Sequence, residues 1–230
     1  MTTVTTNDNS VICLHDQRPV QSQNPDQSPA LPRGRLVFAL DATASRSPTW
    51  AIARDLQATM FREAAPLGHL DMQLVYYRAD QCRASKWVSS GEHLAQLMNR
   101  IECEAGYTQI GRVLAHALRE NEKAAVQALV FIGDAMEEQI EELAAMASKL
   151  GTLGVPIFLF QEGRDPAARK AFRLLALKSG GAYFEFNPNA SRAIEQLSDQ
   201  LNAVARLAVG DVEALQRIGV IGALMDQRSA

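Results

Sequence analysis

Leu36 to Leu40 is an unbroken apolar run that stops abruptly at Asp41. A strand with no polar side has to be covered on both faces, which places it inside a parallel sheet flanked by helices. Ala128 to Ile132 repeats the pattern and also ends in a polar break, at Gly133 and Asp134. Two such runs severely limit the folds open to this chain.

The segments around them alternate strand and helix. Pro48 to about Ala65 carries Trp50, Ile52, Ala53, Leu56, Met60 and Phe61 at helical spacing before Pro66 halts it. Asp71 to Ala79 is expected to be a strand, Lys86 to Ser89 a short edge strand, and Glu92 to about Glu104 a helix. A loop at Gly106, Tyr107 and Thr108 leads into a helix from near Gln109, and Glu137 to Leu150 is a further helix. In that helix Glu137, Glu138, Glu141 and Glu142 would form the solvated first turns, where negative charge suits the dipole. Val155 to Phe160 and Ala182 to Phe186 are strands around a helix opened by Asp165 and Pro166 and closed at Gly180 and Gly181. Ala190 to about Leu207 is the last clear helix. This order predicts an α/β fold: a doubly wound, mostly parallel sheet with helices on both faces.

Residues 1–33, rich in Thr, Asn, Gln and Ser with prolines at 19, 25, 29 and 32, read as a flexible leader to the domain at 34–207. Residues 208–230 carry Val212, Leu215, Ile218, Ile221, Leu224 and Met225 at near-helical intervals, an amphipathic segment expected to pack back on the domain.

In doubly wound sheets, ligands gather beyond the carboxyl ends of the strands where strand order reverses. The strands ending at Asp41 and Asp134 are expected to flank that point. Asp41, Thr43 and Ser45 place three oxygen-bearing side chains at alternate positions, and Thr108 adds a hydroxyl at a helix mouth. With Asp134, this edge offers two carboxylates and three hydroxyls. Oxygen donors suit a hard divalent cation, Mg2+ or Mn2+, better than zinc. Each residue taken singly also reads as a turn or helix cap, so the weight rests on their order and placement together.

The order D-x-T-x-S, then G-x-T before a helix, then a buried strand ending in Asp resembles the von Willebrand factor type A (VWA) domain and its metal-ion-dependent adhesion site (MIDAS), over roughly Arg35 to Leu207. The family usually has D-x-S-x-S and Thr-Asp-Gly, where this chain has Thr43 and the sequence Gly133, Asp134, Ala135. The resemblance implies a cation bound directly by Thr43, Ser45 and sometimes Thr108, with Asp41 and Asp134 acting largely through water. It also implies a non-enzymatic adaptor or scaffold, whose cation takes an Asp or Glu from a partner protein. Intracellular members work in larger assemblies, including with ATPases of the chaperone-like AAA+ type, the partner class that the resemblance suggests.

Several other classes fit poorly. A formal net charge of -3, with no face combining Lys, Arg and aromatics, argues against nucleic-acid binding. No apolar run reaches membrane-spanning length, and Cys13, Cys82 and Cys103 lack zinc or disulfide spacing, so a cytoplasmic protein is expected. The alternative is a magnesium-dependent hydrolase. Haloacid-dehalogenase phosphatases, however, carry a second Asp where this chain has Thr43, and no histidine shows triad spacing.

Overall fold

The apolar run forms β1, Gly34–Asp41, in a computed structural model that describes residues 33–51, 54, 69–186, 193–211 and 213. The other strands are β2 (Leu70–Arg78), β3 (Gln81–Ala84), β4 (Ala128–Gly133), β5 (Ile157–Glu162) and β6 (Ala182–Phe186). The helices are α1 (Gly91–Met98), α2 (Ile110–Lys123), α3 (Ile140–Thr152), α4 (Pro166–Ser179) and α5 (Ala193–Ala208). A 3-10 turn spans Ala44–Arg46. The leader up to Pro32, most of the helix expected at 48–65 and the carboxyl-terminal segment beyond Asp211, apart from Glu213, lie outside the described residues.

The six strands form one sheet in the order β3-β2-β1-β4-β5-β6, with β3 antiparallel to β2 and the other pairs parallel. Strand order reverses at β1, between β2 and β4. The two faces of β1 explain why its run has no polar residue. Leu36, Phe38 and Leu40 join a core with Leu94 and Met98 of α1 and Leu197, Leu201 and Val204 of α5. Val37 and Ala39 join a second core with α2, α3 and α4, through residues such as Val113, Leu143 and Phe172. The sheet is thus buried on both sides.

Helix α4 has the ends its sequence specifies. Asp165 Oδ1 accepts a hydrogen bond from Ala168 N at 2.6 Å, Pro166 opens the first turn, and Gly180 closes it at φ 73°.

Three local expectations need correction. The edge strand is Gln81–Ala84, immediately after the Ala79–Asp80 turn, and only Val88 of the expected segment bridges to β2, at Met72. An edge strand can pair through its backbone without burying side chains, so the absence of an apolar pattern concealed it. Helix α1 stops at Met98 rather than Glu104, because the chain turns there and Glu104 N donates to Ala42 O at 3.0 Å, drawing the segment beside the loop after β1. Helix α3 begins at Ile140, which leaves Glu137 and Glu138 in the preceding loop. They serve a different purpose there.

Candidate metal site

Asp41 ends β1 and Asp134 follows the end of the adjacent strand β4, so both lie where strand order reverses. Gly133 lets the strand ends approach: a Cβ on it would lie 3.3 Å from Asp41 Cβ and 2.9 Å from the Phe131 ring.

Asp41 is fully buried. Its Oδ1 accepts from Thr43 N at 2.7 Å and its Oδ2 from the Tyr77 hydroxyl at 2.8 Å. The first of these bonds folds the loop back on its own carboxylate, an Asx-type turn. It also brings Thr43 Oγ1 and Ser45 Oγ to 3.0 Å of each other. Tyr77 lies directly opposite Asp41 on β2. Burial first, then the charge and hydrogen bond of Asp41, push the phenol well above its ordinary pKa and keep it a donor.

Asp134 is half-buried, and its Oδ1 is shielded from solvent without a hydrogen-bond partner among the described residues. Burial pushes its carboxyl pKa up; the Ser45 hydroxyl opposes that, the Asp41 charge adds to it, and Arg46 opposes it. An orphaned carboxylate oxygen next to a second carboxylate and a hydroxyl is the environment that a divalent cation would relieve. Among the described residues, no three His, Cys, Asp or Glu side chains form a ligand group, so a cation at this edge would depend on hydroxyls as well as carboxylates.

Thr108 reaches this edge indirectly. Its N donates to Glu137 Oε2 and its Oγ1 accepts from Glu137 N, both at 3.0 Å. Glu138 accepts from Ile110 N at 2.5 Å through Oε2 and from Gly111 N at 2.8 Å through Oε1. Gln109, at the cap position of α2, makes no side-chain cap, so Glu138 satisfies these amides from the loop after β4. The structure therefore gathers Asp41, Thr43, Ser45 and Asp134, and ties Thr108 through Glu137 to the loop carrying Asp134.

Sequence reading missed the support beneath this loop. Arg46 is fully buried and donates from Nε and Nη2 to Glu162 Oε2 at 3.1 and 2.8 Å, and from Nη1 to Asp41 O at 2.6 Å. Its guanidinium also lies 5.4 Å from the Trp50 ring centre. The one available signal was a cation directly following Ser45 at the mouth of a buried sheet. Its partner Glu162, at the end of β5, is 116 residues away.

No protein-family model matches this sequence, and no curated protein matches it. Solved structures do share its fold. The VWA domain of SpRpn10 aligns with a TM-score of 0.59 and 12% identity, over 73% of this chain and 95% of that one. The von Willebrand factor domain of the type V pilus tip protein Mfa5 from Porphyromonas gingivalis gives 0.60 and 10%, over 75% and 96%. Proximal thread matrix protein 1 of the mussel byssus, in a structure with a zinc-occupied MIDAS motif, gives 0.56 and 16%, over 78% of this chain and 46% of that one. The chain thus spans less than half of the byssus protein. Identities this low establish a likeness of fold, and that fold is the α/β fold of VWA domains.

Proposed function

We propose that the chain is a divalent-cation-dependent protein-binding domain of the adaptor or scaffold type. In this reading Asp41, Thr43, Ser45, Thr108 and Asp134 hold Mg2+ or Mn2+, and an Asp or Glu of a partner protein completes the coordination. The observation that carries it is Asp134 Oδ1, buried and unpartnered beside Asp41 and the Thr43–Ser45 hydroxyl pair. A bound cation would offset the two carboxylates and leave coordination positions for an incoming carboxylate.

The protein's own residues prepare the edge. Tyr77 and Thr43 N hold both oxygens of Asp41, so this carboxylate keeps one orientation. Arg46 ties the backbone of Asp41 to Glu162, so the loop rests on β5 as well as β1. Glu137 and Glu138 link the Thr108 and Asp134 segments, so these move together. None of these roles requires catalysis, and we read the domain as a non-enzyme. An AAA+ type ATPase or another component of a cytoplasmic assembly is the partner class within this proposal. Among the described residues, no helix is long and apolar enough to cross a membrane.

Thermal unfolding in chelator, Mg2+ and Mn2+, for the unaltered protein and for Ser45→Ala and Asp134→Ala, tests the reading. At a hundred times its dissociation constant a cation stabilises the fold by about 2.7 kcal/mol, and both substitutions should erase that gain. No shift at millimolar Mg2+ or Mn2+ would sink it.

A further inference from the structure

Away from the metal edge, the side of the sheet carries an unmatched cationic groove. It has a volume of about 360 Å3 and lies between β3, the outermost strand, and α2. Val75, Cys82 and Ala84 form its floor; Ala84 pairs with Val75 across the β2–β3 ladder. Arg112, His116 and Arg119 follow one another at helical spacing along its wall, while Val113, Leu114 and Ala117 of the same helix face the core. Arg83 lies on the strand side. Among the described residues no carboxylate lines this groove, although the chain as a whole has a formal charge of -3.

Two carboxylates on this side of the sheet are already engaged. Glu120 pairs with Arg35 and Lys123 and accepts from Trp87 Nε1, and Glu138 caps α2. Arg112 donates from Nη1 to Asp80 O at 2.6 Å and to Gln109 Oε1 at 2.8 Å, and its other nitrogens have no partner among the described residues. Arg119 is exposed and carries no ion pair among the described residues. His116 bonds Gln73 Oε1 at 2.8 Å, and burial pushes its pKa down, so the groove's positive charge rests on the arginines.

The spacing of its arginines points to an elongated occupant. Seven helical residues separate Arg112 from Arg119, a rise of about 10 Å, which three residues of extended chain also span. Along the opposite wall, β3 has a neighbouring strand on one side only among the described residues, and an outer edge of that kind can accept a further strand. A single oxyanion would meet one arginine and leave the other unmatched.

We propose that this groove binds an extended acidic peptide segment of a partner protein, with Arg112 and Arg119 pairing its carboxylates and the edge of β3 offering main-chain hydrogen bonds. The proposal uses none of the five residues assigned to the cation, so each can fail alone.

Fluorescence anisotropy of a labelled ten-residue Asp/Glu peptide, titrated with the full chain in chelator at low ionic strength, tests it. The peptide should bind, a Ser/Gly peptide of equal length should not, and Arg119→Glu and Arg112→Glu should each weaken binding at least tenfold. Lys170→Glu, exposed on α4 and outside the groove, should leave it unchanged. Circular dichroism and the unfolding midpoint check that each variant is folded; Arg112→Gln replaces Arg112→Glu if the latter is not. Binding that survives both arginine changes overturns the proposal. So does an arginine-dependent preference for inorganic phosphate or for a single-stranded oligonucleotide over the peptide.

Discussion

The Tyr77 hydroxyl donates to Asp41 Oδ2 at 2.8 Å from the strand beside it, so a phenol with no accessible surface orients the carboxylate that ends β1. Tyr77→Phe keeps the ring against Phe131 but leaves a buried charged acceptor short of one donor. Hydrogen bonds to charged groups contribute about 1.5–3 kcal/mol, and urea unfolding of the variant should show a loss in that range. A loss below about 0.5 kcal/mol would mean that this hydrogen bond does not form in solution.

The two carboxylates at this edge should respond differently to removal. In chelator, Asp41→Ala destabilises the fold, because it strands the Tyr77 hydroxyl and Thr43 N. Asp134→Ala in chelator should cost less than Asp41→Ala, since the Oδ1 it removes has no hydrogen-bond partner among the described residues. Midpoints of thermal unfolding without added cation separate the two, and equal losses would contradict this assignment of partners.

Arg46 and Glu162 form a buried pair whose side chains are 0% and 6% exposed. Removing one member leaves the other as an uncompensated buried charge, which costs about 3–5 kcal/mol. Arg46→Met and Glu162→Gln should each fall near that range in denaturant unfolding. The double change Arg46→Met with Glu162→Leu should recover much of the loss, whereas additive losses would show that the pair does not act as a unit.

Glu138 caps α2 from a separate loop. Glu138→Ala leaves Ile110 N and Gly111 N without their acceptor and should cost about 0.5–2 kcal/mol, the usual range for a lost cap. Amide hydrogen exchange should rise first at the start of α2. Exchange that instead rises evenly along the helix would rule out a local capping role.

Burial holds the His116 imidazole below its ordinary 6.5; Glu120 opposes this, while Arg119 and Lys123 add to it. As pH falls, the unfolded chain takes up this proton first. The contribution is therefore intact above 6.5 and is lost as pH drops through the lower folded value. Urea midpoints between about pH 5 and pH 7.5 should decline less steeply on the acid side in His116→Gln than in the unaltered protein. An unchanged slope would place the imidazole in solvent.

Much of the architecture was legible because burial on two faces leaves a mark on composition. The all-apolar β1 and β4, and the Asp165, Pro166 and Gly180 boundaries of α4, follow from local chemistry. Strand β3 did not, since its side chains are largely exposed and its only requirement is a backbone partner. Glu137 and Glu138 were misassigned for a related reason: acidic residues before an apolar helical pattern look like a first turn, whereas here they serve the neighbouring helix.

The sheet, its two-sided burial and the order of Asp41, Thr43, Ser45, Thr108 and Asp134 are written into the chain itself, because apolar period and loop chemistry are local properties. Which groups satisfy them depends on how the folded chain packs. Tyr77 for Asp41, Glu162 for Arg46 and Glu137 for Thr108 are contacts between distant segments, and among the described residues none of them reaches Asp134 Oδ1. The alignment of Arg112 and Arg119 over an open strand edge is of the same kind. A buried polar group must find a partner, but the chain's periodicity carries no record of which residue the packing of helices and strands will bring to it.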